Sequence, residues 1–500
     1  MRRPPSPPRR ADPVASPQRR AVDPDRRVDD QGSGQPSDRT SGHSVDPTDD
    51  LCNLISASPS PYHAADEVTR RLVQAGFDER SPGDDLPGDG PVVVRSEGLV
   101  VAWCRRGQPA DAPLRVVGAH TDSPNLRVRP QPDRSVAGWR QLGVEVYGGA
   151  LLNSWLDRDL GLSGRVALRA SHSGDGIAER TEASVGAYDA GVGRSARPER
   201  RPAVQLRHVR WDRPLLRVPQ LAIHLDRDIS SDGLQLNKQQ HLTPVWGIGH
   251  SSPGEFRAWI ADELGVDGDD VLSWDLMTHD LTPPARLGQA DELLAAPRLD
   301  NLCSSWAGTT ALIEAAGRDP ADLELSIVPV LVLADHEEVG STSGVGAASA
   351  LIVRLLEGSI RAAGGDDRAI QRALATSVIA SVDMAHATHP NYPDRHEPGH
   401  PITPGGGPAL KVNSNQRYAS DARTIAHARL AAERAGVALQ TYSHRGDLPC
   451  GSTIGPTLAA SLGVGVVDLG APQLSMHSAR ELMAVADVEP LAKLLAAWFG

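Results

Sequence analysis

The stretch IVPVLVLADHEEVG, residues 327–340, passes from an unbroken apolar run into Asp335, His336, Glu337 and Glu338. A run this apolar, ended by charge and Gly340, reads as a strand buried on both faces, as in a parallel sheet covered by helices on each side. We place that strand at 325–333. The pattern outward from it alternates. A helix is expected over 302–316, helices near 346–356 and 367–374, a strand over 378–384, a helix over 419–435, a strand over 464–469 and a last helix over 479–499. Upstream, residues 64–77 have helical periodicity closed by Gly76. VVVRSEGLVVAWC (92–104) reads as a hairpin turning at Glu97-Gly98, and LRVVGA (114–119) as a buried strand. The whole is an α/β chain with a doubly wound mixed sheet.

Residues from about 130 to 285 have a different texture. Short β-like runs such as VEVYGG, GRVALRA and LRVPQLAIHL alternate with turns, and the polar stretch 171–206 reads as a long loop. We expect a β-rich inserted domain at 131–285, interrupting a catalytic domain formed by 49–130 and 286–500. Residues 1–48 carry almost nothing apolar and are read as a disordered tail, with folding starting near Ser58. Nine arginines and nine aspartates balance within residues 1–50, so the net charge of −12 belongs to the body.

That acidic balance argues against a nucleic-acid partner. Cys52, Cys104, Cys303 and Cys450 are scattered without a CxxC, which excludes a disulfide framework and a thiolate zinc site and suits a reducing cytoplasm. The charged start MRRPPSPPRR has no apolar run behind it, and 327–334 is far short of a membrane span. A cytoplasmic protein without membrane partners is expected.

Acidic and imidazole residues gather where the expected strands end: His120 and Asp122, Asp300, residues 335–338, Asp383 and His386, and His477. In open α/β sheets ligands bind at the carboxyl ends of strands, so these distant segments can converge. Carboxylates mixed with imidazole suit zinc, manganese or cobalt. The pair Glu337-Glu338 does not belong to an HExxH helix, because position 340 is Gly. Adjacent carboxylates after a strand point in different directions, so one can bind metal while the other moves protons.

The segments GAHTDSPNLRVRP (118–130), YGGALLNSWLDRDLGLSGRV (147–166), LRVPQLAIHLDR (216–227), APRLDNLCSSW (296–306), ADHEEVGSTSGVGA (334–347), ALKVNSNQRYASDA (409–422) and DLGAPQLSMHSARE (468–481) resemble the M18 metallo-aminopeptidases, the aspartyl aminopeptidases. The resemblance implies a metallopeptidase catalytic domain interrupted by a dimerisation domain. It implies two zinc ions, manganese or cobalt being alternatives. His120 and Asp383 would hold one ion, Glu338 and His477 the other, and Asp300 both. Glu337 then matches the general base, with Asp122 supporting His120. Substrate contacts match His224, His386, Lys411 and Tyr418, His224 serving its own or a neighbouring subunit's site. Lys411 is one of only three lysines, against 48 arginines; it is expected to meet the side chain of an N-terminal Asp or Glu in a peptide substrate. A homo-oligomer, dimer-based and up to a dodecamer, is implied as well. The alternatives are a neutral-residue aminopeptidase or deacylase on the same site, and a non-catalytic oligomeric shell.

Overall fold

The computed structural model describes residues 45–170, 203–318 and 327–500. Among these residues the strands form three sheets. The largest has nine strands, and its centre runs, in spatial order, Val328–Ala334, Leu114–His120, Val378–Val382 and Gly465–Gly470, all parallel. The hairpin Gly90–Ser96 and Leu99–Arg105 flanks one side antiparallel, and Ala409–Val412 flanks the other.

Period-two alternation explains why the central strands are apolar throughout. Leu331 and Leu333 pack with helices Leu299–Gly317, Val488–Trp498 and Ala422–Ala435 on one face. Val328, Val330 and Val332 pack with helices Ala350–Ala362 and Ile454–Leu462 on the other. Leu114–His120 connects onward to neighbours on opposite sides, 328–334 and then 378–382. That reversal opens a crevice at its carboxyl end, where His120 is the last strand residue.

A second sheet of six antiparallel strands takes its strands from residues 125 to 280, in the order Val204–Leu216, Leu160–Arg169, Val271–Asp280, Asn125–Val136, Trp139–Tyr147 and Val245–Ile248. Its core includes Leu126, Leu142, Trp211, Leu276 and Phe256 from helix Glu255–Leu264. The strand Asn125–Val136 straddles position 131, where the sequence reading divides the chain.

The third sheet has five short strands, in the order Ala285–Leu287, Leu293–Ala296, Glu481–Ala484, Pro472–Leu474 and Ala385–His386. It corrects the expected helix over 479–499: residues 481–484 are a strand and the helix is Val488–Trp498. The apolar run LRVPQLAIHL is also corrected. Strand structure stops at Leu216 with isolated bridges at Arg217 and Val218, and beyond Pro219 the side chains of Leu221, Ile223 and Leu225 are exposed. Proline removes a ladder donor, and no described element covers those side chains. The expected loop 171–206 loses its last residues to the strand Val204–Leu216, and 171–202 lie outside the described residues.

Residues Pro47–Ala57 form a helix ahead of Ser58. Asp46 caps it through Thr48 N at 2.8 Å, Pro47 occupies its first turn, and Leu51, Leu54 and Ile55 are buried. Residues 1–44 of the expected tail lie outside the described residues. No helix among the described residues is long and apolar enough to cross a membrane.

Candidate metal centre

Six side chains from five segments meet at the crevice. His120 ends its strand, Glu337 and Glu338 occupy the turn after Val328–Ala334, and Asp383 follows Val378–Val382. Asp300 lies at the start of helix Leu299–Gly317, and His477 in the loop after Pro472–Leu474.

Asp300 is central. Its Oδ1 is 3.3 Å from His120 Nε2 and its Oδ2 is 3.6 Å from His477 Nε2. His120 Nε2 is 3.6 Å from Asp383 Oδ1, and His477 Nε2 is 3.3 Å from Glu338 Oε2. The potential ligand atoms of His120, Asp300 and Asp383 all lie within 4.8 Å of one another, as do those of Asp300, Glu338 and His477. A third such group joins His120 to Glu337 and Glu338.

Both imidazoles are oriented by carbonyl oxygens. His120 Nδ1 donates to the Asp122 carbonyl at 3.0 Å and His477 Nδ1 to the Gly149 carbonyl at 3.2 Å, leaving each Nε2 to face the carboxylates. The Asp122 carboxylate, expected to support His120, sits 3.4 Å from its Nδ1 and has a second task. Its Oδ1 accepts Glu337 N and its Oδ2 accepts Glu338 N, both at 3.1 Å, while Tyr147 Oη donates to Oδ2 at 2.7 Å. Asp122 thereby fixes the turn that carries both glutamates. The main chain must come close here. A side chain at Gly149 would bring a Cβ 3.1 Å from His477 Nδ1, and one at Gly98 would collide with the buried Asp335 carboxylate.

The electrostatics are those of crowded, buried anions. Burial, reinforced by Asp383, Asp122 and Asp300, pushes the Glu337 carboxyl up to about 8, although His120 opposes it. Burial and the charge of Asp300 hold Glu338 well above the usual carboxylate range. Burial alone would lower His120, yet Asp122, Asp300 and Asp383 keep its imidazole well above its ordinary value. Asp383 goes the other way: burial would raise it, but the Lys411 ammonium and His120 hold it well below. Asp300 Oδ1, Glu338 Oε1 and Asp383 Oδ1 are buried and accept no hydrogen bond. Buried carboxylate oxygens without a hydrogen bond, on residues grouped at ligand distance, fit a bound divalent cation, and the donor set of imidazole and carboxylate fits zinc.

Raised carboxyls and a protonated imidazole must lose their protons to ligate. The zinc affinity of the metal-free protein is therefore expected to climb with pH as Glu338 and His120 lose their protons, with protons released on binding. Isothermal titration in buffers of differing ionisation heat checks this; an affinity flat with pH and no proton release would refute it.

The other residues singled out from the sequence are placed as follows. Lys411 is 1% exposed; its Nζ donates to the carbonyls of Asp383 at 2.9 Å and Met384 at 3.2 Å, and lies 3.6 Å from Asp383 Oδ2. The same ammonium sits 5.0 Å from the centroid of the buried Tyr418 ring. His386 packs edge-on to Tyr442 with ring centroids 6.1 Å apart, and burial lowers its imidazole to about 4, Lys411 and His444 adding to the effect. His224 is exposed in a turn and is not brought to this cluster by its own chain. Asp335 faces Gly98 rather than the ligands, its Oδ1 accepting His336 N at 2.7 Å.

Three supporting residues escaped the sequence reading. Tyr147 braces Asp122, Ser123 Oγ donates to the Asp300 carbonyl at 2.7 Å, and Glu481 accepts main-chain N–H groups from two ligand residues. Each stands inside a segment quoted above. Their roles depend on partners far away in the chain, which no local pattern shows.

Comparison with known proteins agrees with this geometry. The family model described as aminopeptidase I zinc metalloprotease (M18) matches residues 54–184 and 195–499. The probable M18 family aminopeptidase 2 of Streptomyces avermitilis is 48% identical over 456 residues, covering 90% of this chain and 97% of its own. Its counterpart from Mycobacterium leprae is 48% identical over 453 residues, covering 90% and 98%. Among solved structures, a chain in the cryo-EM structure of the Ape4 and Nbr1 complex matches with a TM-score of 0.80 at 31% identity, over 91% of this chain and 85% of that one. With a matching family model over most of its length, close relatives of nearly the same extent and a buried imidazole and carboxylate cluster at its sheet ends, this chain belongs to the M18 family of zinc metallo-aminopeptidases.

Proposed function

We propose that the protein removes acidic N-terminal residues, Asp or Glu, from peptides with a two-ion centre in which Asp300 is the shared ligand. The observation that carries the two-ion reading is the opposed facing of the Asp300 oxygens, one towards His120 and the other towards His477. His120 and Asp383 complete one site, Glu338 and His477 the other. Zinc is the favoured ion, with manganese or cobalt able to use the same donors. A bound divalent ion supplies Lewis-acid polarisation and lowers the pKa of water.

The chain's own groups do the rest. Glu337 lies 4.0 Å from His120 Nε2 and is held by Asp122 through its main-chain N–H. It takes a proton from the attacking water and returns it to the leaving amine. Its burial favours a carboxyl that can hold a proton in transit. Lys411, His386 and Tyr418 line the side of Asp383 and form the pocket for the first residue's side chain.

The acidic preference rests on Lys411. Two of its three N–H groups go to main-chain carbonyls, which leaves one for a substrate carboxylate. A second reading, a neutral-residue aminopeptidase or a deacylase, is favoured by the neighbouring Asp383 Oδ2, which competes for that N–H at 3.6 Å. Release of N-terminal Asp, Leu and Ala from otherwise identical short peptides, with zinc, manganese or cobalt supplied, separates the two. Preference for Asp that is lost in Lys411→Met supports the first, and preference for Leu sinks it. A failure to cleave any peptide with any metal would favour a non-catalytic shell.

Assembly follows from the second sheet's surface. Leu221, Ile223 and Leu225 are 56%, 56% and 74% exposed on either side of His224. A second copy of the chain covering this segment would bury them and carry His224 towards a neighbour's site, so we place the protein in a cytoplasmic homo-oligomer.

A further inference from the structure

Glu481 is 2% exposed at the start of the strand Glu481–Ala484. That strand is the middle one of three. On one side Leu293–Ala296 pairs with it, Ala296 opposite Glu481, and leads directly to Asp300. On the other side Pro472–Leu474 pairs with it and leads to His477. The two loops bearing these ligands thus leave neighbouring strands beside the same carboxylate. One Glu481 oxygen accepts Asp300 N at 2.9 Å and the other accepts His477 N at 2.7 Å. Burial and the charge of Asp300 push the Glu481 carboxyl well above its usual range, while the main-chain N–H groups, which need an acceptor at each oxygen, favour its ionised form.

Glutamate is specific to this task. Both convergent groups are N–H donors, so both oxygens must accept. Glutamine has the same shape but offers one oxygen and one NH2, and the NH2 would face an N–H. Aspartate keeps the charge but is one methylene short of spanning the two.

We propose that Glu481 is a positioning residue that sets the separation of Asp300 and His477, and through it the affinity for the ion held by Asp300, Glu338 and His477. It belongs to none of the three potential ligand groups, and both its oxygens are engaged by main-chain N–H groups. The inference rests on the two-ion reading above. Of the other ion's three ligands only the shared Asp300 is bonded to Glu481, against two of this ion's three, so this ion should be weakened the more.

The test is zinc titration of the metal-free full-length protein by chelator competition, for the parent, E481Q and E481D, with bound zinc counted by elemental analysis and the metal-free melting temperature recorded. The parent is expected to bind two ions. E481Q is expected to bind the ion held by Asp300, Glu338 and His477 about 10- to 100-fold more weakly, the range for outer partners of metal ligands, and the other ion with a smaller loss. Raising free zinc should restore most of its kcat, which a lost catalytic group could not do. If E481Q does not fold, E481D carries the same comparison. Two ions bound with parental affinity, or both weakened equally, would overturn the proposal. A parent that binds one ion overturns the two-ion reading instead; Glu481 then keeps a positioning role only if E481Q weakens that ion at an unchanged melting temperature.

Discussion

Glu337→Gln is expected to lower kcat by about 100- to 10,000-fold, the usual contribution of a positioned acid–base group, while leaving bound zinc unchanged. The amide has the size of the carboxyl it replaces, and the main-chain bond from residue 337 to Asp122 Oδ1 at 3.1 Å does not depend on the side chain. What is lost is the ability to hold a proton between water and the leaving amine. Because an acid–base group sets a limb of the pH–rate profile, the missing carboxyl should also remove that limb. Activity within a few-fold of the parent at equal zinc content would transfer the base role elsewhere, and lost zinc would make Glu337 a ligand. Its place in a potential ligand group with His120 and Glu338 makes that second outcome a real alternative to exclude.

Asp300→Asn should have the larger effect, because it strikes both sites. Losing an outer partner of a ligand costs about 10–100-fold in metal affinity, and losing one charged oxygen of the shared ligand is expected to exceed that for both ions. Turnover should fall below detection, and the bound zinc should drop together with it. Asp300 is 3% exposed, and the substitution keeps its shape, so a folded but metal-poor protein is the expected product. Near-parental zinc content in this variant would remove Asp300 from its bridging place. The two variants are complementary: one is expected to hold metal without turning over, the other to lose both.

The parts of this site that the sequence shows are those tied to regular structure. His120, Glu338 and Asp383 follow strands whose apolar residues, such as Leu331 and Val332, are buried on opposite faces, so the strand ends can be read from composition alone. Asp300 and His477 follow strands of three or four residues, Pro472–Leu474 and Leu293–Ala296, which carry too few side chains for a period to emerge. Both gather with the other strand-end residues although no strand is expected just before Asp300, and the ligand roles of all five come from the family resemblance. The misread helix at 479–499 has the same origin. ELMA is as compatible with a helix as with a strand, and only its pairing with Leu293–Ala296 decides between them. LRVPQLAIHL failed in the opposite sense: its apolar residues suggest burial, but the single chain has nothing to place over Leu221, Ile223 and Leu225.

The five-stranded sheet also sets an order of events during synthesis. Once residues up to 470 have emerged, the chain owns the four central parallel strands and with them His120, Glu338 and Asp383. It does not yet own His477, Glu481, or the strand Glu481–Ala484 that Leu293–Ala296 requires as a neighbour. Pairings this distant in sequence close late. A nascent chain therefore exposes an incomplete, strongly acidic cavity until residues 477–484 have emerged, and the full ligand set can close only after that.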